Sequence, residues 1–475
     1  MIKNNNQKGL IIVNALVYAT ISAMVISAIV GWVGSVLASS RNLVQREQAF
    51  QIAEAGIDYY RWRLSHFPTD YTDGNPVGTA GPFSHDFNDK DGIKIGHYEL
   101  TITPPLVGST VVRVRSKGVL LSNPNIYRTI EITAAIPSLA KYSVAANDVM
   151  RFGEGTEVFG PIHSNNGIRF DGLTHNVITS SKDKYNDPDD GVSTNRFGVY
   201  TTVNPQDPNP PSAVPSRPDV FMAGRQFPVA VFDFSGMTTD LANMKTSAQN
   251  GGRYFASSGS SGYKVLLKTN DTFDLYKVTS TYNAPDGCYS NQDGWGLWSV
   301  KNTQFIANYG FPSNGIIFFE DHVWVEGKIN TARISIVAAK FPDSESTRKN
   351  IIVNNDVTYT NYDGQDVISL IAQGNFNVGL RSENDLRIDA AIIAQNGRAG
   401  RHYYEQNCSN EYYTQSTLTL YGMIATNKRY GFAYTDDTGY DIRNIIYDGN
   451  LLYSPPPSFP LTSSQYVTLS WEEVR

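Results

Sequence analysis

At 475 residues, with 41% hydrophobic and 18% charged residues, the chain has the composition of a folded protein and exceeds what one ordinary core holds. Its net charge of −6 is spread without long blocks of one sign, which excludes the clustered basic face of a nucleic-acid binder, so no nucleic-acid partner is expected. Two cysteines, Cys288 and Cys408, are too few for a cysteine-rich zinc module or a disulfide scaffold, while 28 Tyr and 22 Phe among 39 Gly and 23 Pro favour short strands and many turns.

Residues 1–9 form a basic leader with Lys3 and Lys8. From Gly9 to Ser40 no residue is charged. As a helix this stretch runs ~48 Å at ~1.5 Å per residue, against the ~30 Å hydrocarbon core of a bilayer. Its apolar centre, Ala15 to Leu37, suffices for one tilted crossing. The leading lysines place the N-terminus in the cytoplasm and the rest of the chain outside, an asymmetry that Arg41 and Arg46 weaken. A cleaved secretory signal is the alternative, but its apolar region spans only about 7–15 residues and ends at a small-residue site. Length favours a retained anchor.

The helix is expected to continue. Leu43, Phe50, Ile57 and Leu64 recur every seventh residue, and Arg46, Ala53 and Tyr60 follow the first three of them by three. Gln45, Gln48, Gln51, Glu54, Asp58 and Arg61 fill the positions between. Residues 10–67 thus read as one rod, apolar all round in its first half and striped in its second, closed by Pro68. The stripe packs either on the chain's own globular domain, the commoner use, or on neighbouring copies in a filament.

The leader ending Gln7-Lys8-Gly9, the uncharged run and the stretch Arg46-Glu47-Gln48-Ala49-Phe50-Gln51-Ile52-Ala53-Glu54-Ala55-Gly56-Ile57-Asp58-Tyr59-Tyr60 together resemble the N-terminal region of PilX-type pilus assembly proteins over about 60 residues. The resemblance implies a type IV pilin-like minor pilin or surface protein with a structural, assembly or adhesive role. It also implies partners among other pilin-like subunits and the pilus assembly machinery, and cleavage after Gly9 to leave Leu10 first. It marks Asn14, Leu43, Phe50, Ala53, Glu54, Ile57 and Tyr60 as the assembly helix. Asn14 stands where major pilins carry a glutamate, and its amide supplies no carboxylate, though it retains hydrogen-bonding capacity in a membrane.

Residues 68–140 read as a small pilin-like region: a Pro/Gly/Asp-rich linker over 69–91, then an antiparallel meander of Tyr98–Thr103, Val111–Val119 and Tyr127–Ala134. Residues 141–475 form a β-rich repetitive body with insertions at 185–225 and 228–300. An apolar–x–small–x–Ile pattern recurs at Val158–Ile162, Val325–Ile329, Ile388–Ile392 and Leu420–Ile424. Short strands follow at Ile334–Ala338, Ile351–Tyr359, Val367–Ala372, Asn375–Val378, Leu386–Ala394 and Leu418–Ala425. The fold class is therefore mainly β with one long N-terminal transmembrane and amphipathic helix. A β-solenoid-like body, a parallel β-helix, is preferred over a β-sandwich. Inside the second insertion, Met237, Leu241 and Met244 predict an amphipathic helix over 235–251, followed by strands Tyr263–Lys268 and Thr272–Thr279.

No nucleotide-binding loop, nucleophile elbow or metalloprotease motif occurs, and His163 and His322 read as structural. Asp183, Asp187, Asp189 and Asp190 before Gly191 have the spacing of a calcium loop but lack its closing glutamate, so they read as solvated loop acids; a second cluster, Asp286 to Gly296, is weaker. Glu320, Asp321, Glu326, Asp385 and Asp389 alternate with apolar residues as outward strand positions do. No catalytic residue, metal or cofactor is expected, and the chain reads as no enzyme. The alternative is an exported β-helix that binds or cleaves surface glycans from a membrane anchor. Cys288 and Cys408, both in polar loops, form either one disulfide or two unrelated thiols.

Overall fold

The computed structural model describes residues 6–234, 237–283, 299–406, 408 and 410–474. Its strands form both parallel and antiparallel sheets, and none closes into a barrel among the described residues. Two compact units divide the chain: residues 1–104, 112–135 and 465–475 make the first, and residues 105–111 and 136–464 the second.

In the first unit one continuous helix, α1 (Asn6–His66), leads to strands β1 (Phe83–Asn88), β2 (Lys94–Thr103), β3 (Val112–Leu120) and β4 (Tyr127–Ala135). The rod and the three-strand meander match expectation. Two strands were not anticipated. β1 arises inside the stretch read as a linker and pairs antiparallel with β2. The last strand, Val467–Val474, pairs antiparallel with β4, so residues 465–475 join this unit rather than the body. Its alternation of Val467, Leu469 and Trp471 is visible in the sequence, but nothing local names so distant a partner.

Helix and sheet meet along a seam of small residues. Ala49, Ile52, Ala53, Ile57, Tyr60 and Leu64 are buried against Leu100, Val112, Val114, Ile130 and Ile132. A Cβ on Gly118 would lie 2.2 Å from the Ala49 carbonyl oxygen and 2.4 Å from the Ala53 nitrogen. One on Gly56 would lie 2.3 Å from Ser116 Oγ and 2.8 Å from the Tyr98 ring. The Ala-x-x-x-Ala-x-x-Gly spacing lets two backbones approach this closely because positions three, four and seven apart share a helix face.

In the second unit, parallel ladders surround one apolar cluster. The longest runs Arg253–Phe255, Ile316–Phe319, Arg333–Ala338, Val367–Ala372, Asp385–Ala394, Thr414–Thr426, Val144–Ala146, Ile162–Ser164, Ile178–Ser180 and Arg225–Gln226. Its register stacks Ile317, Ile336, Leu370, Ile392, Ile424, Val144, Ile162 and Ile178 in one inward column. A second ladder stacks Tyr263, Val323, Ile351, Phe376 and Ala399. A third stacks Val357, Ile388, Leu420, Ile445 and Val158.

The first ladder is apolar on its other face too, where Ile316, Phe318, Val337, Ile371, Ile393 and Met423 meet Leu241, Met244 and Ala248 of the helix Met237–Gln249. Burial on both faces explains runs such as Val367–Ala372, which do not alternate. The recurrent small residue falls at the step between ladders: Ala390 registers on Gly422, where a Cβ would lie 2.1 Å from the Ala390 carbonyl oxygen and φ is +141°.

Three expectations in the body are corrected. Ile351–Tyr359 is two strands, Ile351–Ile352 and Val357–Thr358, because Asn354 and Asp356 make a corner by accepting from the Gly379 and Arg387 N–H groups. The 185–225 insertion is not only a loop: Val199–Tyr200 and Arg225–Gln226 pair in parallel with Ile168–Phe170 and Ile178–Ser180. Past the 228–300 insertion, Val300–Gly310 forms a further antiparallel strand on Thr272–Thr281.

Gly118→Ala is expected to destabilise the first unit by about 1–3 kcal/mol, read from its urea midpoint in detergent. Gly34→Ala, where nothing lies within 4 Å, should leave the midpoint unchanged or raise it slightly.

Candidate functional site

The first half of α1 is the most unusual surface in the chain. Leu10 to His66 has an apolar stretch of mean hydropathy 2.1, none of it buried within the structure. Leu16, Met24, Ile26, Val30 and Trp32 all stand exposed. Three hydroxyls inside it return their hydrogen bonds to the helix: Thr20 Oγ1 donates to the Val17 carbonyl (2.9 Å), Ser27 Oγ to Ala23 (2.8 Å) and Ser35 Oγ to Trp32 (2.8 Å). Such back-bonding meets the demand that lipid makes on a hydroxyl.

The residues of the expected processing and assembly region fall into separate zones. Gly9 and Leu10 lie within the helix, and Asn14 is exposed in the apolar half. Leu43 and Glu54 are exposed. Phe50 is half-buried, its ring 5.8 Å from that of Trp471. Ala53, Ile57 and Tyr60 are fully buried in the chain's own seam. The stripe is thus largely used within the unit, and the free outer face carries Leu43, Val44, Glu54 and Trp62.

The far end of the rod is tied down by charge. Arg63 Nε and Nη2 donate to Asp70 at 2.8 and 2.5 Å, and the Tyr60 hydroxyl donates to the Asp70 carbonyl at 2.7 Å. Burial works against an ionised Asp70, but the Gly74 N–H and the Arg63 guanidinium prevail and hold it below the usual carboxylate range. Asp73, at φ +55°, takes up Tyr59 and His85.

In the body, the acidic loop is corrected from solvated to tied. Asp187 is 5% exposed and accepts from the Tyr200 hydroxyl at 2.5 Å. Asp190 accepts from Arg196 Nε at 2.8 Å, and Asp189 pairs with Arg429. Arginines thus occupy Asp189 and Asp190 and a tyrosine Asp187, while Asp183 is exposed as expected; no metal-holding group of His, Cys, Asp or Glu occurs among the described residues. The cluster Asp286–Gly296 lies outside the described residues, as does Cys288; Cys408 is buried beside Leu380 and Tyr404.

Of the five strand acids, Asp321 and Asp389 are not outward but buried. Asp321 accepts from Ser258 and lies 3.3 Å from Lys349; Asp389 accepts from Arg387 Nε (2.9 Å), the Tyr362 hydroxyl (2.8 Å) and the Tyr359 N–H (3.0 Å). Burial nevertheless pushes Asp389 up. Glu320 and Glu326 pair with Lys245 and Lys264, and Asp385 is exposed. The four acids other than Asp385 each have their own partners.

Two arginines escaped sequence reasoning, Arg401 buried and Arg333 half-buried. Arg401 donates to the carbonyls of Leu380, Tyr412 and Tyr413, and Arg333 to those of Val107, Gly364, Ser454 and Pro455. They satisfy carbonyls where the chain turns between ladders. No local pattern marks them.

His163 is buried between Thr179 Oγ1 (2.9 Å) and Asn165 Oδ1 (3.0 Å). Burial, with Lys349 nearby, pushes His322 down to about 4; burial and Arg398 push His402 down to about 3. Both stay neutral in the fold while the unfolded chain protonates near 6.5, so their stabilisation is complete above that pH and is lost as pH falls through the folded values. The second unit's urea midpoint should fall between about pH 6.5 and 4. His322→Asn should flatten that slope relative to wild type, a comparison that cancels Asp389 and Asp448, whose raised values act the other way.

No known family's sequence profile matches the chain, and no curated protein matches it. Among solved structures, the crystal structure of competence-associated pilin ComZ from Thermus thermophilus is similar at 12% identity and a TM-score of 0.30, covering 90% of this chain and 98% of that one.

Proposed function

We propose that this is a pilin-like protein of the type IV pilus system, held in a membrane by the first half of α1 with both units outside. In this reading it acts as a minor pilin or surface protein with a structural, assembly or adhesive role and catalyses no reaction. One observation carries the reading: the helix Asn6–His66 leaves its apolar half wholly exposed and buries only residues 49–64 against a small antiparallel sheet. A soluble protein has no means of covering such a surface, whereas a bilayer covers it without further structure. We read the three parallel ladders of the second unit as the faces of a β-solenoid, because eight aliphatic residues stack in register across strands that are not consecutive in sequence. A stack of this kind buries its own core and leaves its outer positions free to vary.

The reading is tested by fractionating cells and sheared filaments, with the intact mass of the purified protein. Recovery in membranes or filaments supports it, with loss of residues 1–9 marking prepilin-type processing. Recovery as a freely soluble, full-length cytosolic protein overturns it. The same spectrum tests the cysteines: a Cys288–Cys408 disulfide makes the unreduced chain two hydrogens lighter than the reduced one.

A further inference from the structure

The end of the first unit nearest the apolar half of α1 carries apolar side chains in the open. Gly118 of β3 sits level with Ala49 and Ala53, and Asn123 donates to Gln45 at 3.3 Å, so β3 runs back along the helix toward its N-terminal half. Leu121, three residues past Gly118, lies ~10 Å further on at ~3.3 Å per residue, which brings it level with about residue 44 of a helix rising ~1.5 Å per residue. The Leu121 N–H donates to the Ile95 carbonyl at 3.0 Å, so the β1–β2 turn reaches beyond it, and Ile93 falls level with about residue 40. Ile93 is 64% exposed and Leu121 59%.

The two turns are suited to a wet but partly apolar boundary. The Ile93 N–H donates to Asp89 Oδ1 at 2.9 Å, the Asp91 N–H to the same oxygen at 2.9 Å, and the Asp89 N–H to the Ile93 carbonyl at 2.8 Å. The turn thereby satisfies its own polar groups and leaves the isoleucine free. Arg41 and Arg46, both exposed, flank this level on the helix. The charge-free run ends at Ser40, and the headgroup layer beyond a hydrocarbon core is ~5–8 Å deep on each side. Ile93 lies inside that depth and Leu121 at its outer limit.

We propose that the tip of the first unit, formed by the 89–93 and 121–126 turns, rests in the headgroup layer of the same phospholipid bilayer that α1 crosses. Ile93 and Leu121 dip toward the acyl boundary, and Arg41 and Arg46 meet lipid phosphates. The proposal rests on reading α1 as a membrane span. It implies that the sheet is held against the membrane rather than swinging on a bare helix.

The full chain, reconstituted in phosphatidylcholine vesicles, is given a benzoylphenylalanine photocrosslinker at Val25, Val77, Ile93 or Leu121, one at a time. Val77 is fully exposed in the loop beside the far end of α1. Lipid adducts at 25, 93 and 121 but not at 77 are the expected result. Adducts at 25 alone, or crosslinks from 93 and 121 to a second protein copy instead of lipid, overturn the docked tip while leaving the anchor standing. Loss of the adduct at 25 overturns both.

Discussion

The close approach of α1 to its sheet is the constraint on which the first unit depends. Gly118 and Gly56 leave no room for a β-carbon, and Ala49 and Ala53 fill the facing positions. At this separation the aliphatic residues on either side, Ile52 and Ile57 from the helix and Val114 and Ile132 from the sheet, share one buried cluster. The geometry fixes the rotation of the helix about its own axis, and so decides what faces outward. Glu54 and Trp62 are exposed because the small residues are not.

This gives the Ala-Phe-x-x-Ala-Glu-Ala-Gly stretch a physical meaning apart from any filament. Ala49, Ala53 and Gly56 are the contact, its glutamate the solvent side, and its phenylalanine a bridge to Trp471 on the returning C-terminal strand. The heptad rhythm therefore describes two uses in succession. Leu43 lies level with the turns at the sheet's tip and stays exposed, whereas Ile57 and Leu64, at the same heptad position, are sealed. A rod with one periodic pattern is divided by where its partner starts.

Legibility followed the range of the interaction. The rod, the meander, the helix over Met237–Gln249 and most strands between Ile334 and Ala425 could be read from the sequence because each rests on local alternation or helical spacing. The return of Val467–Val474 to β4 could not, since the pairing spans most of the chain. Nor could the stacking of Val144–Ala146 on Thr414–Thr426, which places the start of the body against its end. Acids misled for a related reason. Alternation predicts an outward Asp389, but Tyr362 and Arg387 cover it and leave it buried, and coverage by a neighbouring loop has no period.

The two units solve the burial problem by opposite means, and the contrast bears on their roles. The first reaches density by bringing two backbones together at glycine and alanine, which makes it intolerant of added volume at a few positions. The second repeats one aliphatic column over many strands, with arginines such as Arg401 and Arg333 tying off carbonyls at the turns, so its stability is distributed over nearest-neighbour contacts. Substitution on the outer positions of such a stack costs little, because the column and the corner ties persist. A body built this way can change its outer face without disturbing its core, whereas the first unit cannot change Gly118 or Gly56 without moving a helix.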